Sequence, residues 1–420
     1  MKLDGDAIEN WQGARQEKHT FDPSASANRA KVLAFSDYYL PGYKAGGAMR
    51  SIVNLVERMG DEIEFRVVTR DRDLGDSTHY PGIVPGRWTR VGRAHVWYLP
   101  TDNYSVCQIA SLLQSTPCDV LYFNSLFSRK FTLVPLLLRR LGFVPARPVV
   151  LAPRGELGRG ALSLKKRRKF AYLIAARLLG IFRDVTWQAS SRYEEADIRR
   201  SFGMAKVTIA QDLLAPQSSI APRPAPPAKR CGELRLVFFS RIARMKNLHW
   251  AIGLLGDVQA DVVFDIYGPK EDESYWAVCE AVIATLPVNV RVCYHGPVDH
   301  DAVMQVLSIY HLFFLPTLGE NFSYVIFEAL QSGCLVLTSD QTPWRGLEER
   351  AVGWCVPLED EARFKLILQR CVDMDAEEFG RLSARARTYA TELLAKDEAL
   401  DNNRQLFRSR AKVAGRANAG

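Results

Sequence analysis

Short apolar runs alternate with segments of helical periodicity along nearly the whole chain. Runs at 32–36, 65–69, 96–99, 120–124, 148–152, 185–189 and 207–210 are apolar, often β-branched or aromatic, and too short for helices. They read as strands buried on both faces. Helical segments such as 48–59 and 131–141 fall between them. The Pro- and Ser-dense stretch 216–228 breaks every period and reads as a linker. A second alternating series follows at 236–240, 262–267, 290–294, 312–316 and 335–338, and the charged helical stretch 379–408 has no strand after it. The pattern predicts an α/β fold of two doubly wound, Rossmann-like domains facing each other across a cleft. The expected divisions are a disordered lead-in over 1–30, a first domain over 31–214 and a linker over 215–232. A second domain over 233–385 follows, then a C-terminal helix and tail over 386–420.

Composition narrows the class. The 420 residues are 47% apolar and 24% charged, which excludes disordered, collagen-like and coiled-coil chains and is ample for two cores. The eight cysteines are scattered without a C-x-x-C pair, and the seven histidines form no metal-binding pattern. Reduced thiols, a cytoplasmic setting and no metal are expected. Apolar stretches are too short or too charged to span a bilayer, and the polar N-terminus does not read as a secretory signal.

The formal charge of +8 is uneven: residues 1–214 hold 32 Lys and Arg against 21 Asp and Glu, while 215–420 hold 23 against 26. Such an asymmetry suits an anionic partner or a solvated basic face. It is densest between Arg147 and Arg177, where nine basic residues face one acid, Glu156. There Lys165–Lys169 precede the apolar stretch 170–174, so residues 159–177 suit an anionic membrane surface or a lipid-diphosphate acceptor. No stacking-rich basic stripe marks a nucleic-acid binder.

Candidate chemistry gathers at expected strand exits. Arg241 and Lys246 lie in the loop after 236–240, where a fork and a point charge suit a diphosphate. The stretch 316–323 (PTLGENFS) is a glycine-containing turn opening a helix over 324–331, with Glu320 in the turn and Glu328 about two turns further on. In the first domain, the glycine-rich turn 41–47 with Gly46 and Gly47 follows a strand, Arg154-Gly155 ends another, and Asn124 at the end of a third is expected to point into the cleft.

Glu320 and Glu328 form an E-x7-E pair inside PTLGENFSYVIFEALQSGCLVLTSD, with SRIARMKNL upstream and TPWRGLEE downstream. Together these motifs resemble the retaining glycosyltransferases of family 4, which have the GT-B fold; the likeness spans about 31–395 and is strongest over 236–357. The resemblance implies that Glu320 contacts the donor sugar, Glu328 the ribose hydroxyls, and Arg241 with Lys246 the diphosphate. Backbone N–H groups of Asn321, Phe322 and Ser323 would complete those contacts, with Ser323 standing where relatives usually have Gly. Gly296 to Asp299, with Val298, resembles the nucleobase stretch; Gly268 and Pro269 would line the far wall, and Gly46 and Gly47 would meet the diphosphate. Arg154, where many relatives carry His, would act electrostatically, since it cannot abstract a proton.

The implied activity is retaining hexosyl transfer from a nucleotide-sugar to a glycan or lipid-linked acceptor, in surface polysaccharide assembly. It would use no cofactor or metal, consistent with the absence of a D-x-D motif at a site matching the family's. An epimerase or hydrolase on the same fold, or a non-enzymatic nucleotide-sugar binder, are the alternatives. The first would need a general acid or base that these strand ends lack, His295 reading as structural.

Overall fold

Strands that are apolar on both sides need helices on both sides, and both halves of the chain meet that need. The computed structural model describes residues 29–100, 105–164, 166–215, 228–299 and 302–417. The first domain is an eight-stranded sheet of β1 (Ala30–Phe35), β2 (Ile63–Arg70), β3 (Trp88–Val91), β4 (Ala94–Leu99), β5 (Val120–Phe123), β6 (Val149–Leu151), β7 (Val185–Ala189) and β8 (Lys206–Ile209). Its order is β3-β4-β2-β1-β5-β6-β7-β8. The second is a six-stranded sheet of β9 (Glu233–Phe239), β10 (Asp261–Tyr267), β11 (Val290–Gly296), β12 (Leu312–Leu315), β13 (Leu335–Ser339) and β14 (Gly353–Val356), ordered β11-β10-β9-β12-β13-β14. All pairings are parallel except the β3–β4 hairpin, where Trp88 stands opposite Trp97.

Every expected strand is present to within a few residues. Two were not expected, β3 and β14. Both are short edge strands, and the polar Thr89 and Arg90 in β3 disguise its pattern. The helix expected over 131–141 is a π-helical turn, Arg129–Leu133, leading into a helix over Val134–Arg140. Pro135, which has no N–H to donate, sits where an N–H would go unpaired anyway, at that helix's start.

The C-terminus differs from expectation. The stretch expected as one helix is two, Ala376–Leu394 and Glu398–Ala417. The first packs Phe379, Ala386, Tyr389 and Leu394 into the second domain's core. The second returns to the first domain, burying Leu400, Leu406 and Phe407 against the face of the first sheet that also carries the helix Gly47–Met59. Phe407 stands edge-on to Phe65 at 6.1 Å and 5.6 Å from Tyr122, and Arg404 pairs with Glu62 at 2.7 Å. A division at 386 therefore cuts a helix, and the last helix belongs to the first domain. The lead-in lies outside the described residues up to 28, as does the linker over 216–227.

Phe407→Ala should cost about 3–5 kcal/mol of stability by urea unfolding, as expected for a buried aromatic. A loss under about 1 kcal/mol would mean that the last helix is only loosely docked.

Candidate active site

The exit of β9 is pinned to the exit of β10. Ser240 N–H donates to Tyr267 O (3.0 Å) and Ile242 N–H to Pro269 O (2.9 Å). A Cβ at Gly268, whose φ is +136°, would lie 1.9 Å from Ser240 O, so the approach requires glycine. The pinned loop turns through Arg244–Lys246 into Asn247, which is left-handed at φ 58°. Lys246 is thereby carried inward, 8% exposed, to form an ion pair with Glu320. The Glu320 turn is tied to the same loop, because Leu318 N–H and the Thr317 hydroxyl both donate to Met245 O, at 2.8 and 3.0 Å.

Ser323 adopts φ 62°, ψ 76° at the start of the helix Tyr324–Ser332 and makes no side-chain capping bond. Left-handed backbone at a non-glycine costs on the order of 1 kcal/mol, a strain that glycine would not carry. From the first domain, Gly46 begins the helix Gly47–Met59, again without a side-chain cap, and a Cβ on it would stand 3.5 Å from Arg241 Nε. Arg241 itself pairs with Glu271 at 2.5 Å. Two helix N-termini, positive by their dipoles, thus face the cleft from opposite domains.

The cleft between the domains has a volume of about 890 Å³. Gly46, Gly47, Arg154, Arg241, Lys246, Gly268, Pro269, Val298, Glu320, Asn321, Phe322, Ser323 and Glu328 all border it. Asp299 and Asn124 do not. Asp299 is exposed beside Tyr43. Asn124, expected to point into the cleft, is 2% exposed and donates to Ala48 O at 2.7 Å.

Arg154 is likewise turned inward. Its side chain, 4% exposed, donates from Nε to Asn124 Oδ1 (2.8 Å) and from Nη2 to the Tyr122 hydroxyl (2.5 Å), and forms an ion pair with Asp212. Burial opposes its charge, but Asp212 more than compensates and holds its pKa above the ordinary value. Its charge is thus matched inside the first domain by Asp212, where a group turned toward the reacting centre was expected.

Sequence reasoning missed Asp212, a lone acid after a strand with nothing local to mark it. It also accepts from the Ser51 hydroxyl (3.1 Å) and, across the cleft, from Asn321 Nδ2 (2.8 Å). Asn321 Oδ1 accepts from Ser190 Oγ at 2.7 Å, so one side chain of the second domain is held by two residues of the first.

Burial raises four carboxyls bordering the cleft, Glu156, Glu194, Asp197 and Glu328. Glu328 is pushed up to about 7, with Arg50 pulling it back down. Glu156 also reaches about 7, its burial only partly offset by bonds from Leu126 N–H (2.5 Å) and the Ser125 hydroxyl (2.9 Å). Among the described residues no group of three or more His, Cys, Asp or Glu is placed to hold a metal ion.

Residues 223–391 match the family model of glycosyl transferases group 1. No curated protein matches the chain significantly in sequence. Among solved structures, HepE from Anabaena, in a complex with UDP and glucose, is 17% identical with a TM-score of 0.66 over 91% of this chain and 100% of that one. Sucrose-phosphate synthase from Thermosynechococcus elongatus is 16% identical with a TM-score of 0.68 over 91% and 99%. A trehalose-6-phosphate protein from E. coli, bound with UDP-2-fluoro glucose, is 9% identical with a TM-score of 0.64 over 91% and 99%. The fold is GT-B, and both domains take part in the likeness.

The raised pKa of Glu328 sets a sign for stability. The folded protein holds a proton between about pH 4.5 and 7 that the unfolded chain has released, so this group's contribution is lost as pH rises toward 7. Glu328→Gln should therefore raise the melting temperature of the unliganded protein relative to wild type more at pH 8 than at pH 5. An equal difference at both pH values would show that Glu328 titrates normally.

Proposed function

We propose that the protein is a retaining glycosyltransferase that moves a hexosyl group from a nucleotide-diphosphate sugar to a glycan or lipid-linked acceptor. The observation that carries this reading is the convergence of Lys246, Arg241, Glu320 and Glu328 beneath two helix N-termini in one interdomain cleft. The group 1 match and the fold support it, as do neighbours of the same fold that hold UDP with glucose or a fluorinated UDP-glucose.

In this reading the donor diphosphate displaces the carboxylates that Lys246 and Arg241 hold. The two cations and the helix termini then stabilise the charge that develops on the leaving phosphate, and no divalent metal is required. Glu320, freed from Lys246, accepts from sugar hydroxyls, while Glu328 as a carboxylate accepts from the ribose. The bond from C1 to the phosphate oxygen breaks with its electron pair going to phosphate. The acceptor oxygen bonds C1 on the same face, and its proton passes to the leaving phosphate. Val298 and Pro269, which border the cleft with Tyr43, are assigned in this reading to the nucleoside end. A step in surface polysaccharide assembly on the cytoplasmic side fits this chemistry.

Incubation with the glucose conjugates of UDP, GDP and ADP, with water standing in for the acceptor, tests the reading by proton NMR. One donor should be consumed slowly, with the α-anomer of glucose appearing first. Glu320→Gln should lower the turnover by about tenfold or more with little change in KM. A first-formed β-anomer would overturn the retaining assignment, and no consumption of any donor would overturn the activity.

A further inference from the structure

We propose that one outer face of the first domain is a docking surface for an anionic lipid bilayer. Its charge is lopsided beyond the basic run itself. Residues 120–183 hold fourteen Lys and Arg and a single acid, and that acid, Glu156, is turned inward onto Ser125 and the Leu126 N–H.

The helix Lys166–Leu178 buries only Ala176 fully, with Tyr172 and Leu173 packed half-buried against the core. Its opposite side is open. Phe170, Ile174 and Leu178, spaced by four, form one stripe along it, 64%, 40% and 83% exposed. Leu179 continues the stripe.

A second element extends the patch. Leu141 and Phe143 follow the helix Val134–Arg140 and are 60% and 61% exposed. The two elements abut, since a Cβ at Gly180 would lie 3.4 Å from Arg140 Nε. Six of the fifteen large hydrophobic side chains exposed among the described residues lie in these two segments, a concentration that scattered surface residues would not produce. Lys166, Arg167 and Arg168 lead into the stripe, exposed and paired with no carboxylate among the described residues.

An apolar stripe headed by cations, with the exposed Asp184 near Arg139 as a flanking acid, is complementary to an anionic headgroup layer over acyl chains. A nucleic acid would satisfy the cations and leave Phe170, Ile174 and Leu178 in water. Among the described residues no helix is long and apolar enough to cross a membrane, so the contact is peripheral. The same segment reaches the cleft on its inner side: Arg159, Gly160, Leu164 and Lys169 border it, and Lys169 Nζ donates to Ala161 O at 2.6 Å. If the proposed transferase reading holds, the cleft lies beside the bilayer and its acceptor is a lipid-linked sugar; the lipid contact itself does not depend on that reading.

The test is co-sedimentation of the full chain with vesicles of phosphatidylcholine alone or of equal parts phosphatidylglycerol and phosphatidylcholine. The protein should pellet with the anionic vesicles only and be released by high salt. The triple variant Phe143→Ser, Phe170→Ser, Leu178→Ser and the triple variant Lys166→Glu, Arg167→Glu, Arg168→Glu should each lose about tenfold or more in partitioning, with unchanged circular dichroism and melting temperature. No pelleting of the wild type, or full binding by the serine variant, would overturn the proposal. So would tight binding to duplex DNA that the charge reversal abolishes and the serine variant keeps, which would assign the face to nucleic acid. Because the readout is lipid partitioning, failure here is separate from failure to consume a donor.

Discussion

A guanidinium taken out of water must find a carboxylate and further acceptors in the same place, and in this protein Arg154 and Asp212 meet that demand together. Each ion would cost several kcal/mol if left unpaired at this depth. The pair is the centre of a polar network running through the first domain. Arg154 reaches the Tyr122 hydroxyl, which donates to Gln188 Oε1 at 2.9 Å, and Gln188 Nε2 donates to Ala210 O at 3.0 Å and Asn403 Oδ1 at 3.3 Å. In the other direction Asp212 holds Ser51 at the start of the glycine-turn helix and Asn321 in the turn that carries Glu320. The returning C-terminal helix, the sheet core and the edge of the cleft thus share one set of hydrogen bonds. A half-satisfied buried network is worse than none, so each member constrains the others. The glycine at 160 shows how closely the domains meet along this seam, since a Cβ there would stand 2.3 Å from Leu318 O.

Within the cleft the same accounting is left open to exchange. Lys246 and Arg241 satisfy their charge on Glu320 and Glu271, carboxylates held by loops at the strand exits. In the proposed function an anionic donor replaces those partners on the cations, and its sugar hydroxyls take over Glu320, so that no buried charge is left bare. Arg154 differs from them in that its hydrogen bonds and its ion pair all lie within the first domain.

Much of this was legible in the chain. Strands apolar on both faces announce themselves by run length, and the turn chemistry around Arg241, Lys246 and Glu320 follows from residues within a few positions of one another. Edge strands such as β3, half polar, carry no such run. What could not be read is direction and distance in space. Nothing near Asn124 or Arg154 tells whether a side chain at a strand end turns outward or inward, because the answer lies with Asp212, far along the chain. Nor does the amphipathic pattern of 398–417 say which domain it covers; Phe407 finds its partners in Phe65 and Tyr122. The basic run was visible as charge, but only the packing of Tyr172, Leu173 and Ala176 shows which side of that helix is free.

In the proposed function the cleft holds a nucleotide diphosphate on Lys246. The most direct measurement is thermal unfolding with UDP, GDP and ADP, alone and as sugar conjugates, on wild type and on Lys246→Ala. Saturating ligand at about a hundred times its Kd stabilises a native state by about 2.7 kcal/mol, enough to move the transition by several degrees. Such a rise is expected with one base in the wild type and none with the variant. A flat panel for wild type, or an equal rise in the variant, would contradict it.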